Sequence, residues 1–450
     1  MRKIIEPQQP LVAIPAAHEH ARELRAMGAV LDGLPEAASR VHKALLAGGV
    51  DAARGREGMS AQQVLRALLA KQMNRWSYEE LAFHLGDSVV YRAFCGIGIA
   101  DEGPSRSTLQ RNLKAIPAEV MEAIHREIVL HAQALGIENG ERVRTDSTVI
   151  EAAIHDPTDS SLLWDCVRVL VRLVRQAEAH VAVHFTDHRR VAKRRALQIR
   201  NVGTMEQRTP LYQDLLKVTD ETTRTAEHVA ARLVAERPRK RAARKVRALA
   251  GELERYAELA RRVMKQTRQR VFLGQSVPST EKVVSIFEPH TDIIVKDRRE
   301  TLYGHKVFLT TGASGLVLDL LLPAGNPSDA TLAVSSVQRQ KDLFGRPPKQ
   351  TCFDGGFTSH ANLVALKELG VTDVVFCKAK GIPIAEMARS SWIYRKLRHF
   401  RAGIEAGISF LKRSFGWDRC TWRGWPSFTT YAWASVLAAN VLMLARHLLA

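Results

Sequence analysis

The chain has 450 residues, more than one domain usually contains, and this length predicts either one core with helical attachments or two to three domains. The 66 Lys and Arg outnumber the 47 Asp and Glu, and the formal net charge of +19 favours a polyanionic partner, with nucleic acid first. The five scattered cysteines exclude a disulfide framework and a zinc site of the usual ligand spacing, and they are typical of a reducing cytosol.

The first 138 residues are predicted to form a helical N-terminal domain, because Ala and Leu recur in them at helical spacing. Ser77, with Glu80 three residues later, predicts the start of one helix, and Ser105 or Ser107 predicts the start of another. Short helices joined by Gly-containing turns are compatible with a helix-turn-helix that binds DNA. They are equally compatible with a bundle that only packs.

A short β-rich run, VRTDSTVI, follows and is predicted to be the first strand of a sheet. Residues 159–275 are then charged and almost free of Gly and Pro, which predicts a basic helical insertion. Within it, RPRKRAARKVR has seven cations among eleven residues. Such a run is either a solvated helix face or a contact to DNA phosphates, and its candidate DNA-binding residues are Arg237, Lys240, Arg241, Arg244 and Lys245.

After the insertion the chain returns to alternating strand and helix patterns. Strands are predicted at 285–295, 305–311, 316–323, 350–354 and 371–379, and helices at 328–342, 358–369 and 398–414. The resulting order of elements is that of an RNase H-like α/β domain interrupted after its first strand. We therefore predict a mixed sheet with flanking helices, formed by residues 139–158 and 276–450.

The two ends of the chain predict a cytoplasmic protein with no membrane partner. The start, MRKIIEPQQPLVAIP, lacks the continuous apolar core and the small-residue cleavage site of an export signal. The segment from Gly424 to Ala445 has no charged residue and is long enough to span a bilayer. It also contains Pro426 and Asn440, so we interpret it as a buried terminal helix.

Three acids on separate segments are candidates for a metal centre. Asp146 lies in the first strand, Asp354 ends a later strand, and Glu405 lies on a following helix. In an RNase H-like sheet the first and fourth strands are neighbours, which would bring the two aspartates together. Clustered carboxylates repel one another unless cations such as two Mg²⁺ ions compensate their charge. Taken singly, each Asp is also typical of a strand-end cap or a turn.

The sequence resembles the DDE insertion-sequence transposases of the IS4/IS5-like superfamily, of the IS5/ISNCY type. Their third acid lies in a Y-x2-R-x3-E-x6-K signature, which this chain matches at Arg401, Glu405 and Lys412, with Arg398 at the tyrosine position. FDGGF is similar to the family's second-Asp motif, and TDSTVIEAAIHDPTDSSLLWD is similar to its first-Asp motif. Residues 55–115 resemble the family's N-terminal helical domain.

The resemblance implies an enzyme that cleaves DNA and transfers strands at the inverted-repeat ends of an insertion sequence. It implies that Asp146, Asp354 and Glu405 are catalytic and hold two Mg²⁺ or Mn²⁺ ions, with DNA contacts from Arg398, Arg401 and Lys412. It also implies a homodimer on double-stranded DNA, both element ends and target, associated with the bacterial nucleoid, and an N-terminal domain that binds DNA or dimerises.

Two other functions stay open on the sequence alone. The departure from the signature tyrosine at Arg398 is compatible with a catalytically inactive relic that only binds DNA. An RNase H-like nuclease without strand transfer has the same acids. The helical series Arg401, Glu405 and Lys412 is also compatible with an ordinary salt-bridge ladder.

Overall fold

A computed structural model describes residues 2–5, 18–47, 58–98, 100–235, 240–296 and 300–450. The chain divides into two compact units. The first comprises Met1–Ala153 with Gly304–Ala450, and the second comprises Ile154–Tyr303. Each unit is described by itself below.

In the described part of the first unit, seven helices precede the sheet. They are α1 (Glu19–Asp32), α2 (Ala37–Leu46), α3 (Ala61–Met73), α4 (Tyr78–Asp87), α5 (Val89–Cys95), α6 (Arg106–Lys114) and α7 (Ala118–Ala134). Ser77 begins α4 with a reciprocal capping box, because its hydroxyl accepts from the Glu80 N–H and the Glu80 carboxylate accepts from the Ser77 N–H. Ser105, not Ser107, caps α6. Both predicted helix starts are confirmed.

The sheet is mixed, as predicted. Its strands are β1 (Arg142–Ala152), β2 (Asp292–Lys296), β3 (Glu300–Thr311), β4 (Val317–Leu321), β5 (Gln350–Phe353), β6 (Asp373–Phe376) and β7 (Arg419–Cys420). The order is β2-β3-β1-β5-β6, with β4 also paired to β3 and β7 to β1. β1 is antiparallel to β3 and parallel to β5, which is parallel to β6. The predicted adjacency of the two aspartate-bearing strands is therefore confirmed.

Helices flank the later strands. They are α12 (Ala333–Phe344), α13 (His360–Glu368), α14 (Ile384–Met387), α15 (Ser391–Phe415) and α16 (Trp425–Leu449), with 3₁₀ turns at Asp329–Leu332 and Gly355–Phe357. The helix predicted over 398–414 begins earlier than expected, because the Ser390 hydroxyl caps α15 by accepting from the Ile393 N–H.

α16 lies inside the first unit. Among the described residues it is the helix long and apolar enough to cross a membrane, and 89% of its most apolar window is buried. It packs against α1, α3 and α7 in one apolar core that also includes residues of β1, β3 and β4. The prediction of a buried terminal helix is confirmed. A second apolar cluster covers β5, β6 and the helices beside them.

The second unit is mainly helical. Its helices are α8 (Asp159–Ala177), α9 (Arg189–Asn201), α10 (Met205–Ala235) and α11 (Lys240–Thr267), which continues as a π-helical turn at Arg268–Phe272. They enclose an apolar core of their own. β2 and the first residues of β3 also belong to this unit. The cap of α8 is Thr158, whose hydroxyl accepts from the Ser161 N–H.

Candidate active site

Two adjacent parallel strands place Asp146 and Asp354 at the same level of the sheet. Thr145 of β1 is aligned with Phe353 of β5, so the two aspartates are the next residues along each strand. Phe353 is fully buried, which fixes the end of β5. Asp354 then begins the turn Gly355–Phe357.

The Gly-Gly turn after Asp354 is required by close neighbours. A Cβ on Gly355 would lie 2.8 Å from the Lys378 side chain, and a Cβ on Gly356 would lie 2.7 Å from Asp329 Oδ2. Both distances are shorter than real Cβ contacts, so a larger residue would force either the turn or the neighbouring side chain to shift.

Arg401 of α15 contacts all three candidate acids. Its Nη2 lies 2.7 Å from Asp146 Oδ2 and 3.4 Å from Asp354 Oδ1. Its Nη1 donates to Glu405 Oε1 at 3.0 Å, one helical turn away. The structure thus brings the three acids together around one guanidinium, although Asp146 and Arg401 are 255 residues apart in the chain.

A second arginine holds α15 against the sheet. Arg144, two residues before Asp146, donates from Nε to Thr311 Oγ1 at 2.9 Å and from Nη1 to the Phe400 carbonyl at 2.6 Å. Its guanidinium also lies 4.5 Å from the centre of the Phe400 ring. The lack of a side chain on Gly403 leaves room for this guanidinium. Arg401 and Glu405 are thereby positioned relative to β1.

The three acids differ in exposure. The Asp146 side chain is 12% exposed, against 41% for Asp354 and 67% for Glu405. Burial raises the pKa of Asp146 to about 6, and the nearby Asp354 acts in the same direction. Arg401 and the Ser147 N–H, which donates to Asp146 Oδ1 at 2.8 Å, lower it. Asp146 is thus a desolvated carboxyl group, and a nearby cation stabilises its charged form.

The donor set fits a divalent cation chemically, but Arg401 lies within it. Among the described residues, no three His, Cys, Asp or Glu side chains are grouped closely enough to hold a metal ion. Asp146 Oδ2 and Asp354 Oδ1 contact the same nitrogen, so they lie at most 6.1 Å apart, the sum of their 2.7 and 3.4 Å contacts. Carboxylate oxygens are the ligands that Mg²⁺ prefers. A bound ion would take over contacts that Arg401 now makes.

The remaining predicted residues of α15 lie apart from this cluster. Arg398 is exposed, and its guanidinium lies 5.8 Å from the centre of the Tyr394 ring. Tyr394 is buried, and its hydroxyl donates to the Phe376 carbonyl, so it does not replace the signature tyrosine among the acids. Lys412 is half-buried, seven residues beyond Glu405.

The basic run of the insertion is only partly described. Arg237 lies outside the described residues. Lys240 and Arg241 begin α11, but their side chains also lie outside the description. Arg244 and Lys245 are exposed on α11. Their predicted contact with DNA stays a prediction.

Sequence reasoning missed a fourth carboxylate. Asp329 accepts from Ser147 Oγ at 3.1 Å and pairs with Lys306 Nζ at 2.9 Å. It is thus a neighbour of Ser147, which follows Asp146 in the chain, and of Gly356, which lies two residues after Asp354. No motif marks Asp329, since only the fold brings its 3₁₀ turn to this position. Lys306 of β3 is held in place by this ion pair.

Two segments of the chain match known families. Residues 13–115 match the family described as Transposase domain (DUF772), and residues 290–441 match the family described as Transposase DDE domain. The chain is a DDE transposase. No curated protein and no solved structure matches it significantly.

The matches bear on fold and chemistry. The DDE domain implies an RNase H-like fold, with which the mixed sheet and its flanking helices agree. The transposase cleaves DNA and transfers the cut strands, and its family typically uses divalent metal ions. Asp354, Arg401 and Glu405 lie inside the matched DDE segment, whereas Asp146 precedes it. Asp146 is joined to them by strand pairing and by Arg401.

Proposed function

We propose that Asp146, Asp354 and Glu405 are the catalytic acids of this transposase and that they hold two Mg²⁺ or Mn²⁺ ions. The contact of one guanidinium, that of Arg401, with all three carboxylates carries the proposal. When bound, such ions activate an attacking oxygen and stabilise the leaving oxygen of a phosphodiester.

The surrounding residues have distinct proposed roles. Arg144 holds α15 against β1, which lets Arg401 of the same helix contact both aspartates. Arg401 keeps the carboxylates together when no metal is bound, because it supplies the opposite charge. Arg398, exposed on the same helix, and Lys412 contact the phosphates of the bound strand.

The proposed substrates are the terminal inverted repeats of an insertion sequence of the IS4/IS5-like superfamily, IS5/ISNCY type, together with target DNA. A homodimer is proposed because two ends must be joined in one reaction. The N-terminal domain, residues 1–138, is proposed to bind DNA or to dimerise. The proposed location is the cytoplasm, on the nucleoid.

The triad is tested with purified protein and a labelled duplex that carries an element end, with and without Mg²⁺. Asp146→Asn, Asp354→Asn and Glu405→Gln should each abolish Mg²⁺-dependent cleavage, while DNA binding stays near that of the wild type. Asp342→Asn is the matched control, because this exposed carboxylate of α12 bonds only to Gln338 among the described residues. Full cleavage by any triad variant removes that residue from the proposal.

The same assay separates the alternative functions. Added target DNA should yield joined products. Cleavage without joined products would favour an RNase H-like nuclease. Wild-type protein that binds the duplex but never cuts it would favour an inactive relic, for which Arg398 at the tyrosine position is the supporting observation.

A further inference from the structure

α9 carries a row of cations on one face. Its sequence, RRVAKRRALQIRN, has six Lys or Arg residues and no acid. Four of them, Arg190, Lys193, Arg194 and Arg200, are exposed. At 100° per residue these four fall within about a third of the helix circumference, opposite the buried Ala192.

These four cations have no carboxylate partner among the described residues, which sets them apart from others in the same unit. Neither ion pairs nor hydrogen bonds engage their side chains in the described part of the unit. Seven other arginines among the described residues of the unit are ion-paired, namely Arg168, Arg175, Arg189, Arg195, Arg224, Arg261 and Arg270. α9 differs from these in that it groups four exposed cations on one face, and no carboxylate of the described residues compensates their charge.

The spacing of the row suits a nucleic-acid backbone. From Arg190 to Arg200 the helix rises about 15 Å, at about 1.5 Å per residue. One strand of a DNA duplex presents a phosphate about every 3.4 Å of rise along the duplex axis, and the strand also winds around that axis. The row is thus long enough to contact more than one phosphate of a strand that lies against it.

A cleft of about 530 Å³ adjoins this face. Lys193 and Arg200 of α9 line it together with Arg208 of α10, and Asp156 is the carboxylate among its described lining residues. The hydroxyls of Ser161 and Thr158 are also part of its wall. Apolar side chains such as Trp164 and Leu197 also line the cleft, and the cations and hydroxyl donors form a polar side that favours an anionic group.

We infer that the exposed face of α9 is a binding surface for the phosphate backbone of duplex DNA. The inference deepens the proposed function and rests on its DNA substrate, and it is independent of the three catalytic acids. It assigns to the insertion a grip on DNA that does not depend on base sequence.

The test measures binding of full-length protein to a fluorescein-labelled duplex of random sequence, in EDTA, over a series of salt concentrations. EDTA prevents cleavage, so failure of the catalytic proposal leaves this measurement unaffected. The variant Lys193→Gln/Arg194→Gln should bind more weakly, and the slope of log K against log salt should become shallower by roughly one for each lost cation. Lys193→Arg/Arg194→Lys keeps the charge and should retain the wild-type slope.

The matched control is Arg175→Gln/Arg224→Gln on α8 and α10. It removes the same charge from exposed positions of the same unit, but Arg175 is paired with Asp187 and Arg224 is paired with Asp220. Its slope should stay close to that of the wild type. An unchanged slope in the α9 variant overturns the inference, and so does an equal change in the control, since net charge alone would then account for both.

Discussion

Arg401 has an unusual position, since a single guanidinium contacts three carboxylates from β1, the end of β5 and α15. Its side chain is only 15% exposed and that of Asp146 only 12%, so the contact between these two is poorly screened by water, whereas Glu405 is largely exposed. Without it, Asp146 and Asp354 would face each other with no counter-charge. The arginine therefore stabilises the cluster whenever divalent ions are absent.

Arg401→Gln should lower the free energy of unfolding by about 2 kcal/mol in EDTA, because a charged hydrogen bond is lost and two carboxylates are left uncompensated. Mg²⁺ should then stabilise the variant more than the wild type, since the ion supplies the missing charge. Urea unfolding with EDTA or Mg²⁺ measures both effects. Arg398→Gln, an exposed cation of the same helix, is the control. Equal stabilisation of variant and wild type by Mg²⁺ would contradict the proposed metal ligands.

At the scale of elements, the contact between α15 and β1 sets the geometry of the site. Arg144 reaches from the strand to the Phe400 carbonyl through the space above Gly403. A Cβ on Gly403 would overlap the Arg144 guanidinium, whereas a Cβ on Gly407, one turn later, meets no atom within 4 Å. The two glycines of one helix thus differ only in their surroundings.

Gly403→Ala should destabilise the protein by about 1 to 3 kcal/mol and reduce cleavage, because α15 must move away from β1. Gly407→Ala should leave cleavage unchanged and stabilise the protein by about 0.5 to 1 kcal/mol, through helix propensity alone. Thermal unfolding and the cleavage assay compare the two variants. Similar effects of both substitutions would show that the position of α15 against β1 does not depend on Arg144.

A second junction of elements joins α7, β4 and α16. Asn440 accepts from the Val317 N–H at 3.0 Å and donates to the Val317 carbonyl at 2.7 Å, and His125 Nε2 lies 2.9 Å from that carbonyl. His125 is fully buried, and its Nδ1 has no hydrogen-bond partner among the described residues. Burial therefore lowers the pKa of His125 to about 4.

Acid should weaken this junction. The His125 pKa is about 4 in the folded protein against an ordinary 6.5, so between these values the unfolded chain binds the extra proton and stability falls as pH falls. The full effect is about 3 kcal/mol at about 1.4 kcal/mol per unit. Urea unfolding at about pH 7 and about pH 4.5 should show a smaller loss for His125→Gln than for the wild type. Equal losses would place the acid sensitivity elsewhere.

At the scale of the whole molecule, the apolar cores are formed by different parts of the chain. The core around α16 draws on the N-terminal helices and on the sheet, and Gln72 of α3 donates to Ser435 of α16 at 2.6 Å inside it. Among the described residues, the core of the insertion draws on residues between Leu162 and Phe287. Independent folding is therefore expected for the insertion and not for a catalytic domain without its N-terminal helices.

Fragments test this difference. Residues 154–303 should unfold cooperatively on their own, because their core is complete. Residues 139–450 should lack cooperative unfolding and bind a hydrophobic dye, because the apolar surface of α16 that α1, α3 and α7 cover is then exposed. Circular dichroism and dye fluorescence measure both. Cooperative unfolding of the 139–450 fragment would show that the catalytic domain folds without the N-terminal helices.

The sequence by itself determined the features that depend on near neighbours. Patterns within a few residues predicted the capping box of Ser77 and Glu80, the strand that ends just before Asp354 and the buried character of α16. The signature around Glu405 also indicated the transposase function, which the family matches bear out.

Only the tertiary structure decided which distant groups meet. Strand register brings Asp146 beside Asp354. The packing of α15 against β1 then places Arg401 between them, although it is 255 residues from Asp146 in the chain. The approach of Asp329 to Ser147 and the packing of α16 against the N-terminal helices are of the same kind. Such contacts arise from the combined packing of many elements. A local pattern fixes which face of a helix is apolar, but it does not fix what that face will contact.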